Sequence, residues 1–242
     1  METPIVQPPP RKDKLPVPPR LVLAATGPDL QRLRRGLGVV GQKGEPLYMS
    51  RIYREPQTPP RFALVGPFMG APQAAMLVEV LSAWGGKDFL FLGWCGAIDP
   101  RVRTGDILLP TSAFIDEGTS RGYEVDSDLV ELPCESLLEE IKAALTEDGL
   151  SFKEGIVWST DAVFRETPSK VRTYRSRGAL AVEMEISACL TVARLRGVRF
   201  AAILVVSDEL TELRWRPGFR APRFQTTCRT VSRTVERLCQ TR

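Results

Sequence analysis

Ala181-Val182-Glu183-Met184-Glu185 and, further along, Val205-Val206-Ser207-Asp208 set three carboxylates against apolar runs. Each acidic segment borders what reads as a buried strand, so these carboxylates belong near the interior. Burying an unpaired charge is costly, and groups held there imply a use. Gripping a sugar's hydroxyls while protonating a departing ring nitrogen is one such use. An apolar setting raises the pKa of an aspartate. A carboxylic acid still neutral at about pH 7 can give a proton to a purine nitrogen as a glycosidic bond breaks. Ser207 is placed to hold that carboxyl. The competing reading of Ser207-Asp208 is a helix N-cap, where Ser and Asp are favoured.

Strand alternation would put Glu183 and Glu185 on one side, unless a helix begins between them and splits their directions. A carboxylate accepts two hydroxyl hydrogen bonds, which suits the vicinal diol of ribose. Met184 offers a pliable apolar surface for a sugar face. An acidic helix start complementing the macrodipole is the alternative.

The elements that must position these groups follow from periodicity. Leu21 to Ala25 and Phe62 to Val65 are strand-like runs broken at Gly27-Pro28 and Gly66-Pro67. Met76, Leu77, Val80, Leu81 and Trp84 form one face of a helix over 73–84, closed by Gly85-Gly86. Phe89 to Leu92 reads as a strand entering a glycine turn, Gly93-Trp94-Cys95-Gly96. Ile107–Leu109 and Ala113–Ile115 read as two strands separated by Pro110. Leu137, Leu138, Ile141, Ala144 and Leu145 mark a helix. Strands at 155–158 and 180–184 follow, then a helix ending at Gly197. Phe200 to Val206 is continuously apolar, as in a strand covered on both faces. The last helix buries Cys228, Val231, Val235 and Leu238, with Arg229, Arg233 and Arg237 on a solvated face. This alternation predicts an α/β fold, a three-layer α/β/α sandwich. Ligands in such sheets gather beyond the carboxyl ends of the strands.

Composition narrows the chemistry. The chain has 242 residues, 43% hydrophobic and 26% charged, with a formal net charge of +4. That fits one globular domain over 20–242, preceded by a flexible proline-rich arm at 1–19. Charges of both signs are interspersed, which argues against a nucleic-acid partner. No apolar run approaches the roughly 18 residues of a membrane helix, and the N-terminus lacks a signal-peptide centre. A cytoplasmic protein without a membrane partner is expected. There is no histidine, which excludes a Ser-His-Asp hydrolase, a Cys-His protease and a histidine-ligated metal. The five cysteines show no CxxC pairing and read as reduced thiols. Neither a metal nor a cofactor is expected.

Val182-Glu183-Met184-Glu185, Ser207-Asp208, Gly93-Trp94-Cys95-Gly96-Ala97-Ile98, Gly105-Asp106-Ile107 and Met69-Gly70-Ala71-Pro72 occur in a telling order and spacing. The chain thereby resembles the purine nucleoside/uridine phosphorylase superfamily over residues 20–240, a group that includes nucleosidases acting with water. The resemblance implies a central mixed sheet, partly barrel-like, and homodimers or larger homo-oligomers with sites near the subunit interface. It implies cleavage of the N-glycosidic bond of a purine-type nucleoside, with inorganic phosphate as a possible co-substrate. Glu185 would bind ribose hydroxyls with Glu183 beside it, Met184 would pack on the sugar, and Asp208, held by Ser207, would protonate the base. The segment Ser159 to Glu166 matches the family's base pocket. Its stacking aromatic falls at Val163, with Phe164 next to it. Arg165 and Glu166 face the base edge in this reading, a surface ion pair being the alternative.

The departures concern phosphate. The family's phosphate arginine before the glycine turn is Phe91 here, and its hydroxyl position beyond Gly93 is Trp94. A second arginine falls on Gln31, counted from Gly27, and a third near Tyr48, close to Arg51 and Arg54. The family's nucleosidases activate water with an N-terminal glutamate, for which this chain offers only Asp29. With the phosphate cradle reduced to Gly27, Phe91, Gly93 and Trp94, three outcomes stay open: phosphorolysis, hydrolysis, or nucleoside binding without turnover.

Overall fold

A computed structural model describes residues 4–11, 17–123 and 125–240. Strand β1 (Arg20–Ala24) leads to helix α1 (Gly27–Gly36), then to an antiparallel hairpin, β2 (Glu45–Leu47) and β3 (Ser50–Arg54). β4 (Phe62–Gly66), α2 (Ala71–Ala83) and β5 (Asp88–Ala97) come next. β6 (Ile107–Asp116) is followed by the short α3 (Thr119–Gly122), β7 (Leu129–Glu131) and α4 (Ser136–Glu147). After β8 (Lys153–Thr160) a 3-10 turn at Val163–Arg165 enters α5 (Pro168–Ser176). The chain ends with β9 (Ala179–Glu183), α6 (Ile186–Arg196), β10 (Arg199–Glu209), the two-residue β11 (Arg216–Pro217) and α7 (Pro222–Gln240).

The strands form one mixed sheet ordered β11-β10-β6-β8-β9-β5-β1-β4-β3-β2. β10 also pairs with β5, so β10, β6, β8, β9 and β5 close into a ring, the barrel-like part of the sheet. Alternation along the strands divides the core between two layers. Leu21, Leu23, Phe89, Phe91, Phe200, Ala202, Leu204 and Val206 pack with residues of α2 and α6. Val22, Ala24, Leu90, Leu92, Ala201, Ile203 and Val205 pack with α1, α4 and α7. Helices therefore cover both faces of the central strands, and every position in the Phe200–Val206 run is buried. The three-layer sandwich holds.

Three local expectations need correction. Gly93-Trp94-Cys95-Gly96 is not a turn: β5 continues to Ala97, pairing with β10 and then β9. Glycine weakens strand propensity, but here the close packing of the ring requires it. A Cβ on Gly93 would lie 2.6 Å from the Phe91 ring, and one on Gly96 would lie 3.1 Å from Asp208 Oδ2. Pro110 does not separate two strands; β6 runs through it with a register shift between Pro110 and Ser112, where a proline is tolerated. Asp208 lies inside β10, just past an irregularity between Val206 and Asp208. Of the arm expected at 1–19, residues 1–3 and 12–16 lie outside the described residues. In the remainder the Trp84 indole N–H donates to the Pro9 carbonyl at 2.9 Å, and Val17 is buried.

Gly66 ends β4 against the backbone of β1, where an added Cβ would collide with the Ala24 carbonyl oxygen. Main chain cannot yield as a side-chain tip can. Gly66→Ala is expected to lower stability by about 1–3 kcal/mol, read by chemical denaturation. The segment it displaces, Pro67 to Met69, forms part of the cavity described next.

Candidate active site

The carboxyl ends of β1, β4, β5, β9 and β10 converge on a cavity of about 820 Å³. β9 delivers Glu183, Met184 and Glu185 to its wall, β10 delivers Ser207 and Asp208, and β5 delivers Trp94, Cys95 and Gly96. The 3-10 turn after β8 adds Val163, Phe164 and Glu166. Glu185 and Asp208, distant in sequence, therefore share one chamber.

Helix α6 begins three residues after Glu183, with Glu185 as its N-cap, and this divides the acidic pair. Glu183 turns inward: Ser159 Oγ donates to Oε1, while the backbone N–H groups of Glu185 and Ile186 donate to Oε2 at 2.6 and 2.8 Å. Glu183 thus ties β8 to the N-terminus of α6, where an anion also complements the helix dipole. Ser187 extends the tie, its N–H donating to Ser159 Oγ and its hydroxyl to Glu117. Glu185 is the N-cap residue of α6 and receives the Gly70 N–H on Oε1 at 2.6 Å. Gly70 has φ +83°, so glycine is required for that N–H to be aimed there. Burial pushes both glutamates well above the usual carboxylate range, and the charge of Glu185 pushes Glu183 further.

Asp208 is held at both oxygens. Ser207 Oγ donates to Oδ1 at 2.6 Å and the Trp215 indole N–H to Oδ2 at 2.9 Å. Burial nonetheless raises its pKa. The Ser207 hydroxyl also lies 3.2 Å from the Cys95 carbonyl, so it can turn to that acceptor when Asp208 carries the proton. Glu166 sits in the same chamber, its pKa raised to about 7 by burial and then by the Asp208 charge.

The base-pocket expectations divide. Val163, Phe164 and Glu166 line the cavity, with Phe164 almost fully exposed at its mouth. Arg165 does not line it and is exposed: its place on the 3-10 turn carries the side chain away. Among the phosphate positions, Gly27 and Trp94 reach the wall, whereas Phe91 and Gly93 do not. Phe91 is buried in the α2/α6 layer, edge-on to Phe68 with ring centroids 5.7 Å apart. Trp94 packs edge-on to Phe224 at 5.1 Å and against Phe219 at 6.0 Å. Its indole N–H leans toward Asp29 without reaching hydrogen-bond geometry.

Among the described residues, neither lysine nor arginine lines this cavity. Arg32 donates to Asp29 at 2.6 Å, Arg51 to the carbonyls of Lys43 and Gly44, and Arg54 to Glu45. Asp29 is itself buried, taking hydrogen bonds from Thr26 and Arg32, and is not on the wall. The sequence reading also missed Phe68, Gln73, Leu210, Trp215 and Phe219, all of which line the chamber. Aromatics four apart in an otherwise arginine- and proline-rich stretch, Trp215 to Phe219, were the available signal.

With this geometry in hand, comparison with known proteins is direct. The sequence model of the Phosphorylase superfamily matches residues 19–240. A guanosine phosphorylase of Halorubrum lacusprofundi is 34% identical over 142 residues, covering 59% of this chain and 58% of that protein. A DeoD-type purine nucleoside phosphorylase of Bacillus cytotoxicus is 32% identical over 151 residues, covering 62% and 64%. The chain spans less than two thirds of the length of these curated relatives. The purine nucleoside phosphorylase of Toxoplasma gondii, solved with immucillin-H, shares the fold, with a TM-score of 0.79 at 21% identity over 99% of this chain and 97% of that one. From Pro19 through α7, the chain belongs to the Phosphorylase superfamily.

Proposed function

We propose that the chain cleaves the N-ribosidic bond of a purine-type nucleoside, with Asp208 as general acid and Glu185 on the ribose. The observation that carries this reading is their shared cavity, in which burial holds Asp208 toward the protonated form that a general acid needs. In the proposed step, Asp208 gives its proton to the base nitrogen as the bond from C1′ breaks. The sugar becomes oxocarbenium-like, and ionised Glu185 accepts its hydroxyl hydrogen bonds and faces the growing positive charge. Met184 lies against the sugar. A nucleophile then adds to C1′; when it is water, the proton it sheds restores Asp208.

Water is the better-supported nucleophile. Charge-assisted hydrogen bonds contribute about 1.5–3 kcal/mol each; Phe91 offers none to a dianion, and Trp94 has one neutral indole N–H where an arginine would bring several donors and a positive charge. Arg32, Arg51 and Arg54 are engaged elsewhere. Nucleosides incubated with and without inorganic phosphate are expected to release free base at the same rate, giving ribose rather than ribose 1-phosphate. Release that requires phosphate would reverse the assignment of the nucleophile. Trp94, packed with Phe219 and Phe224, also favours a second reading in which a nucleoside binds without turnover. That reading predicts binding with no base released under either condition.

The rim supports the homo-oligomer implied by the resemblance. Met49, Met69 and Phe164 are 86%, 75% and 97% exposed around the mouth, an apolar surface suited to a second copy.

A further inference from the structure

Ser207 and Trp215 hold Asp208 in different ways. Ser207 is buried on β10, and its hydroxyl has a second acceptor within reach, the Cys95 carbonyl at 3.2 Å. A hydroxyl both donates and accepts. Trp215 comes from the connection after β10, is 61% exposed, and donates its indole N–H to Oδ2 at 2.9 Å. An indole has one hydrogen to give and no lone pair with which to accept. While it faces Oδ2, that oxygen serves as an acceptor and nothing else. The connection is built to keep it there. Arg175 on α5 donates to the Thr211 carbonyl at 2.7 Å, and the Leu213 N–H donates to Leu210 O at 2.9 Å. Leu213 takes φ +58°, which a bulky residue adopts where its surroundings impose it. Beyond Trp215, β11 pairs with Asp208 and Glu209 of β10, and the Gly218 N–H donates to Ser207 O at 2.9 Å. The backbone is thus clamped on both sides of Trp215, although its ring stands largely in the open.

We infer that Trp215 positions the acid: it fixes Oδ2 as an acceptor, so the proton that Asp208 gives to the base is carried on Oδ1. This inference rests on the nucleoside-cleavage reading above and adds a positioning residue to it. When Oδ1 is protonated, Ser207 turns its own hydrogen to the Cys95 carbonyl and accepts from Oδ1. As the bond from C1′ breaks, its electron pair goes to the base, and a base nitrogen takes the Oδ1 proton. Ser207 then swings back to donate to the new carboxylate. Trp215 stays on Oδ2 throughout. Without the indole, either oxygen can carry the proton, and the carboxyl is held at one point instead of two. The titratable groups around Asp208 offer no substitute. Glu209 on its own strand, Glu166 on the turn after β8 and the Cys95 thiol of β5 are all acidic groups. On the connection itself, Arg216 pairs with Glu212.

Trp215→Phe keeps an aromatic ring on the wall and removes the N–H. Steady-state rates on inosine across pH, with melting transitions as the folding check, give the test. The expected result is a kcat about 10-fold lower at pH below the falling limb, with KM within about threefold of the parent. The falling limb of kcat/KM, which reports the free enzyme, should also move to higher pH. Burial raises the Asp208 pKa and the bonds from Ser207 and Trp215 lower it, so removing one bond lets the carboxyl keep its proton longer. A limb that stays in place, or a kcat equal to the parent's, would overturn the inference and leave Trp215 as a wall residue. If neither protein releases base at any pH, the cleavage reading has failed, and fluorescence decides the contact instead. Subtracting the emission of Trp215→Phe from that of the parent isolates Trp215. A difference that titrates with pH, and does not titrate when both proteins also carry Asp208→Asn, keeps Trp215 as the residue that holds Asp208. A difference that is flat, or titrates alike in both backgrounds, overturns it.

Discussion

Asp208→Asn is expected to lower base release from purine nucleosides by about 10²–10⁴-fold while leaving the fold intact. Asparagine keeps the shape of the side chain: its amide oxygen can accept from Trp215 and its NH2 can donate to the Ser207 oxygen, whose own proton turns to the Cys95 carbonyl, so packing is preserved. What it lacks is a transferable proton. The pH dependence separates this from a steric effect. Burial raises the Asp208 pKa, so its protonated form persists to a higher pH than for an exposed aspartate. Activity should therefore fall as pH rises through that raised value, because the competent acid is being lost. In Asp208→Asn that falling limb should disappear and leave only the slow residual rate. Steady-state rates on inosine or adenosine across the pH range, with circular dichroism as a folding check, give the measurement. Parent-like turnover in the variant would remove Asp208 from the chemistry.

Much of this arrangement was legible in the sequence, and the failures have physical causes. The continuous run Phe200–Val206 announced a strand covered on both faces, and the apolar repeats announced α2, α4, α6 and α7. Helix α1 was not anticipated, because Gly27-Pro28 read as the stop after β1. In fact Thr26 caps the helix, accepting the Asp29 N–H, and the proline sits in its first turn, where a missing N–H costs nothing. The β5 glycines misled for a related reason. Glycine commonly marks a turn, but here Gly93 and Gly96 clear space for the Phe91 ring and the Asp208 carboxyl, a constraint visible only once the ring of strands closes. At the cavity, residue types pointed to Glu185 and Asp208, which share its wall, whereas the separate hydrogen bonding of Glu183 depends on where α6 starts. A strand extended by one residue pair would have placed both glutamates side by side. Trp215 and Phe219 reach the cavity from a long connection after β10, whose path no local pattern specifies.

Glu185→Gln should be the second large loss, about 10²–10³-fold in kcat/KM on ribonucleosides. Gln can still accept the Gly70 N–H, so the loop before α2 should remain in place. The missing element is negative charge opposite a sugar that turns positive in the transition state. The sign of the pH effect is opposite to that of Asp208. Burial raises the Glu185 pKa, and the ionised form is the competent one, so the parent should gain activity as pH rises through the acid limb. That limb reports the coupled titration of Glu183 and Glu185 rather than one residue alone. Glu185→Gln should flatten it while leaving the basic limb of Asp208. Substrate dissection sharpens the point: a carboxylate that holds the sugar's vicinal diol loses a partner when the 2′-hydroxyl is absent. The parent should therefore favour ribosides over 2′-deoxyribosides, and the variant should narrow that preference. A variant that loses rate yet keeps both the acid limb and the riboside preference would assign Glu185 to holding Gly70 and the start of α2, and the sugar contact would have to come from elsewhere on the wall.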